Sequence, residues 1–565
     1  MMSREEERHT MSELERIIKE ICNCNFEMIG YDNLYADEQK NSIIVDPGWQ
    51  DWRDHKYLSS VMCKFFDNRE IDYREDEVIY EQNGSDGYAA KHIFTLTLKI
   101  EDDVLVKICS QKKHVKIPEN VKRIEATAYS LGWGSSLESV ELPHSLVEIG
   151  SFAFRDCEKL EQISIPEGVV KIGKYAFNKC ISLKTIELPK SLVEIEENAF
   201  SRCIGLRQIT IPDGVKVIGK NAFSECINLE QVSLPKTLND IGTGAFHFCN
   251  NLSKISIDEG NTCLSLDNGC LIHNTGNDIV LIRSIEGSSI PEGISKIGDG
   301  AFSGRTEITE AIIPDSVTVI GKRAFTDCTE LKTVTLPSRI KEIAASAFAY
   351  CEKLSEISIP EGVEIIGVEA FLGCNGLKKI VLPDTIQIIE SYAFFECFSL
   401  TDISIPSSLT ELGSYAFNGT GLTHLFIPKE LKSIGEAAFS NCSNLTDISC
   451  SEGNKTYRAE GNCLIKKKNL ILGCNNSEIP QSITSIGDRA FQGRNGLTNI
   501  IIPENITKIG DCAFKDCKGL ISITIPDSVK KIGYSLVGED TVIKAARGSA
   551  AEKYAKKNGI KYEPI

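Results

Sequence analysis

Beyond residue 104 the apolar positions of this chain recur in a fixed pattern. In the stretch 160–182, LEQISIPEGVVKIGKYAFNKCIS, they are Leu160, Ile163, Ile165, Val169, Ile172, Ala176, Phe177 and Cys180. Leu183 begins the next copy. Ile163 and Ile165 alternate with Gln162 and Ser164, the period of a strand with one buried face. Pro166 ends that strand, because it has no N–H to give to a ladder. Glu167-Gly168 makes a turn. Val169 to Ile172 predicts a second short extended piece, and Gly173 permits a tight bend after it. Lys174 to Cys180 predicts one helical or 3₁₀ turn whose Ala-Phe pair packs inward.

The pattern repeats about every 23 residues, and 16 of the 18 prolines mark it. Pro143 to Pro235 and Pro291 to Pro406 keep a spacing of 23, Pro428 comes one residue early, and Pro480, Pro503 and Pro526 close the series. The Ala-Phe pair occurs fourteen times between Phe154 and Phe514. No single coil can bury this apolar set, so the coils must stack, Phe on Phe. Eighteen rungs are expected, with strands ending between residues 117 and 525. At about 4.8 Å per rung the array would be roughly 85 Å long. Two rungs break the pattern alike: Glu-Gly-Asn follows the strand (Glu259, Glu452), and Cys-Leu-Ile comes later (Cys270, Cys463). A polar turn and a second apolar strand follow each, which predicts β-hairpins projecting from the stack near 258–289 and 451–478.

Eleven of the 21 cysteines share one repeat position, from Cys157 to Cys517. A position fixed relative to the core predicts a ladder of small, buried, reduced thiols. So many thiols point to a reducing compartment. The net charge of −17 is concentrated at the start, where residues 1–110 hold 24 Asp/Glu against 13 Lys/Arg. That balance argues against nucleic acid and anionic membrane as partners. No run of apolar residues reaches the length of a membrane span. The acidic N-terminus has no apolar core of a secretory signal, which predicts a cytoplasmic location rather than export.

The motif LxxIxIPxxVxxIGxxAFxxCxx resembles the BspA-like, or Treponema-type, leucine-rich repeats. The hairpin inserts are similar to that family, and so is the closing segment RGSAAEKYAKKNGIKY, where Ser549 caps a short helix and Gly559 ends it. The resemblance implies an α/β repeat fold: a curved leucine-rich-repeat solenoid with a long parallel β-sheet on its concave face. It also implies a binding role, often adhesion for exported members. The expected organisation is an acidic α+β domain or cap over 1–104, the solenoid over 105–540 and a C-terminal cap over 541–565. In the first segment Ser12 and Glu15 form a capping box for a helix to about Cys22, and His92 to Val106 reads as two strands around an Asp-Asp turn.

No catalytic motif stands out: there is no Walker loop, GxGxxG, GxSxG or HExxH. The histidines are scattered, Cys22-Asn23-Cys24 is too short and solitary to make a site, and neither a metal nor a cofactor is expected. The candidate binding residues are the outward side chains of the concave strands. Most are small and hydroxylic, as Ser164 and Thr210 are. One stretch differs: Lys379 and Val381, Asp402 and Ser404, His424 and Phe426, and Asp447. An exposed aromatic beside an aliphatic and a histidine suits the core of an interface. The expected function is a non-enzymatic, monomeric scaffold that binds a protein partner on its concave face. An exported adhesin, and an enzyme within 1–104 targeted by the solenoid, are the alternatives.

Overall fold

A computed structural model describes the strands 34–37, 42–45, 73–82, 88–96, 98–101 and 104–108 and the residues 113–125, 137–285 and 289–565. The expected helix after Ser12 and the Cys22–Cys24 pair lie outside the described residues. The chain forms two compact units, Met1–Leu264 and Ser265–Ile565.

The first unit opens with a four-stranded antiparallel sheet, in the order Leu34–Asp37, Ser42–Val45, Tyr88–Leu96, Tyr73–Gln82. Leu98–Glu101 and Val104–Ile108 then pair antiparallel, as the sequence between His92 and Val106 suggests. Val104–Ile108 also pairs in parallel with Arg123–Ile124, so it begins the sheet that the repeats continue.

Each repeat forms one coil, held to the next along three lines. The strand before the proline pairs with its copy 23 residues on, for example Gln162–Ser164 with Thr185–Glu187. The two-residue strand after it does the same, Lys171–Ile172 with Glu194–Ile195. These shorter strands make the more continuous sheet, which runs without interruption from Arg123–Ile124 to Asp240–Ile241. The strands before the prolines form several short sheets instead of one long one.

The third line runs through the Ala-Phe turn, and it is no helix. Phe152, Phe154 and Asp156 donate to the carbonyls of Lys174, Ala176 and Asn178 in the next coil, at 2.7–2.8 Å. The amides between them donate three residues back within their own coil. Left-handed backbone at Phe152 (φ 61°) and Asp156 (φ 61°) turns alternate N–H groups out along the stack. For ordinary side chains that conformation costs about 1–2 kcal/mol, offset here by ladder bonds that a continuous helix could not make. Gly173 is required by proximity as much as by the bend: a Cβ there would lie 2.5 Å from the Ser151 amide of the preceding coil.

The core is a column. Phe154, Phe177, Phe200, Phe223 and Phe246 are buried and stack with ring centroids 5.2–5.7 Å apart. The ladder thiols lie beside them. Cys180 Sγ donates to the Phe154 carbonyl at 3.2 Å, and Cys203 and Cys226 make the same bond to Phe177 and Phe200. The carbonyl at the end of each Ala-Phe pair thus explains why a small donor, and not another methyl group, sits there.

The second unit repeats this plan, with Phe302, Phe325, Phe348, Phe371, Phe394, Phe417 and Phe439 in one stack. Cys328, Cys351, Cys374 and Cys397 donate to Phe carbonyls in the same way. Burial pushes the thiols up, to about 12 at Cys328 and Cys374 and about 11 at Cys517. A free thiol titrates near about 8.5, so the fold favours the protonated form. That contribution is complete below about pH 8.5 and is lost as pH rises through the folded values. The thermal melt is therefore expected to hold steady to about pH 8.5 and fall steeply above it, by up to about 1.4 kcal/mol per thiol per pH unit. A melt flat to pH 11 would contradict the buried ladder.

The inserts do not project. Cys270–Asn274 pairs antiparallel with Ile279–Ser284, and Cys463–Lys466 with Asn469–Gly473. The second strand of each hairpin pairs in parallel with the next coil, at Lys296–Ile297 and Ser485–Ile486. Gly298 N–H to Leu281 and Ser284 N–H to Ala301 are the bonds a full coil would make, and Gly487 to Leu470 and Gly473 to Ala490 match them. Each hairpin strand is thus laid into the stack as an abbreviated coil. The rung strand expected before Pro480 is accordingly absent from the described residues, and the one expected before Pro291 falls largely outside them.

A third expected strand, at 402–404, is also missing. Ile403 and Ile405 still point inward, and Asp402 and Ser404 outward. The next repeat is one residue short, and Thr401 accepts the Thr423 amide across 22 residues instead of 23. The rung ladder is interrupted at this coil, while the strand after the proline still pairs with the next, Glu411–Leu412 with Ser433–Ile434. At the far end the helix Ala550–Asn558 is capped by Ser549, which accepts from Glu552 N–H, and closed by left-handed Gly559.

Candidate functional site

The predicted binding residues all lie in the second unit, and the coils line them up. Glu310–Ile312, Thr333–Thr335, Glu356–Ser358 and Lys379–Val381 form one parallel sheet with Ser358 beside Val381. His424–Ile427 pairs with Asp447–Cys450, setting His424 beside Asp447 and Phe426 beside Ser449. Asp402 and Ser404 occupy the intervening coil without ladder bonds. Lys379, Asp402, Ser404 and His424 are exposed, and Asp447 is half-buried. Val381 and Phe426 stand two coils apart, about 10 Å at the usual strand spacing.

Inward neighbours fix this face. Ile380 and Leu425 are buried directly beneath it, so the flanking side chains have no route into the core. His424 Nδ1 lies 2.7 Å from Thr423 Oγ1, which orients the ring. A shallow depression of about 240 Å³ lies at one end, lined by Thr333, Glu356, Ser358, Lys379 and Val381. Acid, base and apolar surface therefore meet within a few coils.

Two further residues belong to the same position and escaped the sequence reading. Ile312 is 60% exposed and Ile501 73%, against 49% for Val381 and 50% for Phe426. All four stand two residues before the repeat proline, where Ser164, Thr210, Ser233, Thr335 and Ser358 are polar. Comparing every copy at that one position would have found them.

Replacement of the ladder Cys is the other signal that was missed. In the first coil after each hairpin an arginine takes its place, Arg305 and Arg494. Arg305 Nε donates to the Ser284 carbonyl at 3.0 Å, and Arg494 Nε to the Gly473 carbonyl at 2.8 Å. The abbreviated coil carries no Phe, and the longer side chain reaches the carbonyl that a thiol would miss. Among the described residues no cluster of His, Cys, Asp and Glu is arranged to hold a metal ion, and no helix is long and apolar enough to cross a membrane.

Stacked coils of this length, bonded along three lines around a Phe column, define a leucine-rich-repeat β-solenoid. The chain belongs to the BspA type leucine-rich repeat region family, whose pattern matches residues 98–192, 147–276, 281–383, 364–471 and 467–539. No curated protein matches the chain. Among solved structures it is similar to a leucine-rich cell surface protein of Faecalibacterium prausnitzii A2-165, at 27% identity over 66% of this chain and 96% of that one, with a TM-score of 0.43. A leucine-rich repeat protein of Eubacterium ventriosum is 22% identical over 58% of this chain and 94% of its own, with a TM-score of 0.44. One from Bacteroides ovatus is 22% identical over 87% and 98%, with a TM-score of 0.30.

Proposed function

We propose that the chain is a protein-binding scaffold whose contact surface is the outward face of the rung strands around Lys379, Val381, Asp402, Ser404, His424, Phe426 and Asp447. The observation that carries this reading is the apolar substitution at one repeat position. Ile312, Val381, Phe426 and Ile501 expose large apolar side chains where the other coils carry Ser, Thr, Glu or Lys. The fold does not need them there, since the polar copies form the same strand. Exposed aromatic and aliphatic anchors rimmed by charge suit the desolvated centre of a protein interface.

The test is affinity enrichment from native extract with the wild type and with Phe426→Ala in parallel, followed by titration of the enriched partner. Phe426→Ala is expected to weaken that partner by about tenfold or more, the range of an interface hot spot, and to leave the melt unchanged. Equal affinity for both proteins would remove this face as the contact surface.

A further inference from the structure

The second hairpin supplies the strand of a coil but not its Ala-Phe turn, and the stack is left with a slot. On one side stands the turn 435–439, on the other the start of the turn at 487–489, with Leu464, Ile471 and Leu472 between them. The space measures about 310 Å³. At one end the two turns touch, because Asn441 N–H donates to the Gln492 carbonyl at 3.0 Å. At the other an ion pair between Arg489 and Glu436 spans the mouth. The strand Asn469–Gly473 takes the place of one coil, so the gap in the turn ladder is one chain thick.

The walls carry the bonding groups of an interrupted ladder. In the preceding coil Tyr415 and Phe417 donate their amides to Glu436 and Ala438. The matching amides of Ala437 and Phe439 have no acceptor among the described residues, although Phe439 is buried. Across the slot the Asp488 carbonyl has no backbone donor among the described residues, whereas its counterpart Asp511 accepts from Arg489. Backbone amides that line a cavity without a protein acceptor are met by whatever enters it. The slot thus offers two donors, two residues apart, on one wall and an acceptor on the other. Those are the groups an edge strand presents to a chain that joins it.

We propose that this slot binds a short extended peptide segment with small side chains, which stands in for the missing turn. Alternate carbonyls of the segment accept from Ala437 and Phe439, and one of its amides donates to Asp488. A simple anion would satisfy the donors and leave the Asp488 carbonyl bare. The nearby cations are also committed, Arg489 to Glu436 and Lys466 over the Tyr457 ring at 5.5 Å. Tyr457 Oη accepts the Ile434 amide at 3.0 Å and so closes the adjoining strand edge, which leaves the turn as the open part. This site is separate from the outward face described above and does not depend on it.

Residue-resolved hydrogen exchange on the full chain tests the proposal, with acetyl-Ala-Ala-Ala-amide as the probe and sodium acetate as the control. Without peptide the amides of Ala437 and Phe439 are expected to exchange faster than those of Tyr415 and Phe417. At ten times its Kd the peptide should slow the first pair about tenfold and leave the second pair unchanged, while acetate does neither. Ile471→Trp, which fills the slot, should abolish the protection without lowering the melt. An amide at Phe439 already as slow as that of Phe417 would overturn the proposal. So would equal protection by acetate, or no protection by the peptide. The wild-type measurements decide the matter even if the tryptophan variant does not fold.

Discussion

Phe348→Ala is expected to lower stability by about 3–5 kcal/mol, the range for truncating a fully buried aromatic. The ring stacks between Phe325 at 5.4 Å and Phe371 at 5.6 Å, and none of the three is exposed. Its removal opens a gap in the middle of a column. The walls cannot close on it, because the backbone on either side is fixed: Phe348 N–H donates to Ala370 at 2.9 Å, and the Phe348 carbonyl accepts the Cys374 thiol at 3.1 Å. A stack of this kind is stabilised by contacts between neighbours alone, so a weakened coil uncouples the coils on its two sides. The chemical denaturation curve should shift to lower midpoint and broaden as the array loses cooperativity. A curve superimposable on the wild type would show that the Phe column is not what holds the coils together.

That column was legible in the sequence because its period is long and its members are chemically alike. Fourteen Ala-Phe pairs, ten of their thirteen intervals 23 residues long, allow little besides a stack. The proline positions marked the end of each rung strand for an equally plain reason, the missing N–H. The bonding of the turn was not legible. GKYAFNKC has the composition of a helical turn, and only the positive φ at Tyr175 and Lys179 shows that alternate amides leave the coil for its neighbour. Propensity describes one coil, whereas this conformation is stabilised by the next.

The hairpins show the same limit. Their alternating apolar residues announced two strands each, but not that the second strand would be taken into the sheet by Lys296–Ile297 or Ser485–Ile486. The candidate face was legible as far as single outliers go. Phe426 stands out by its ring and Val381 by its branching, whereas Ile312 and Ile501 hide inside the apolar runs AIIP and IIIP. Their exposure becomes visible only when alternation is counted back from the proline. The slot beside the second hairpin could not have been foreseen at all, since it is defined by a turn that the sequence omits.

Arg494→Leu is expected to be as damaging as loss of a column phenylalanine, at least about 3 kcal/mol, because a charged donor to several buried acceptors is removed at once. The guanidinium is fully buried, and among the described residues no carboxylate pairs with it. Nε donates to Gly473 at 2.8 Å, Nη1 to Cys442 at 3.1 Å and Gln492 at 3.2 Å, and Nη2 to Phe439 at 2.8 Å. Burial pulls its pKa down, yet a guanidinium keeps its charge in proteins. Four carbonyl dipoles replace the counter-ion. They belong to the coil before the hairpin, to the hairpin itself and to the coil after it, so one side chain ties all three together where the Phe stack is interrupted by Gly473. A Cβ at Gly473 would meet the Phe491 ring at 1.9 Å, which leaves no room for an apolar residue to bridge the break instead. Arg494→Lys separates charge from geometry. It keeps the cation but cannot reach carbonyls on three coils with a planar fork, and it should lose most of the same stability. Thermal and urea melts of both variants give the answer: a lysine variant close to wild type would mean that charge alone matters there, and a stable leucine variant would mean that the splice is held by the sheet.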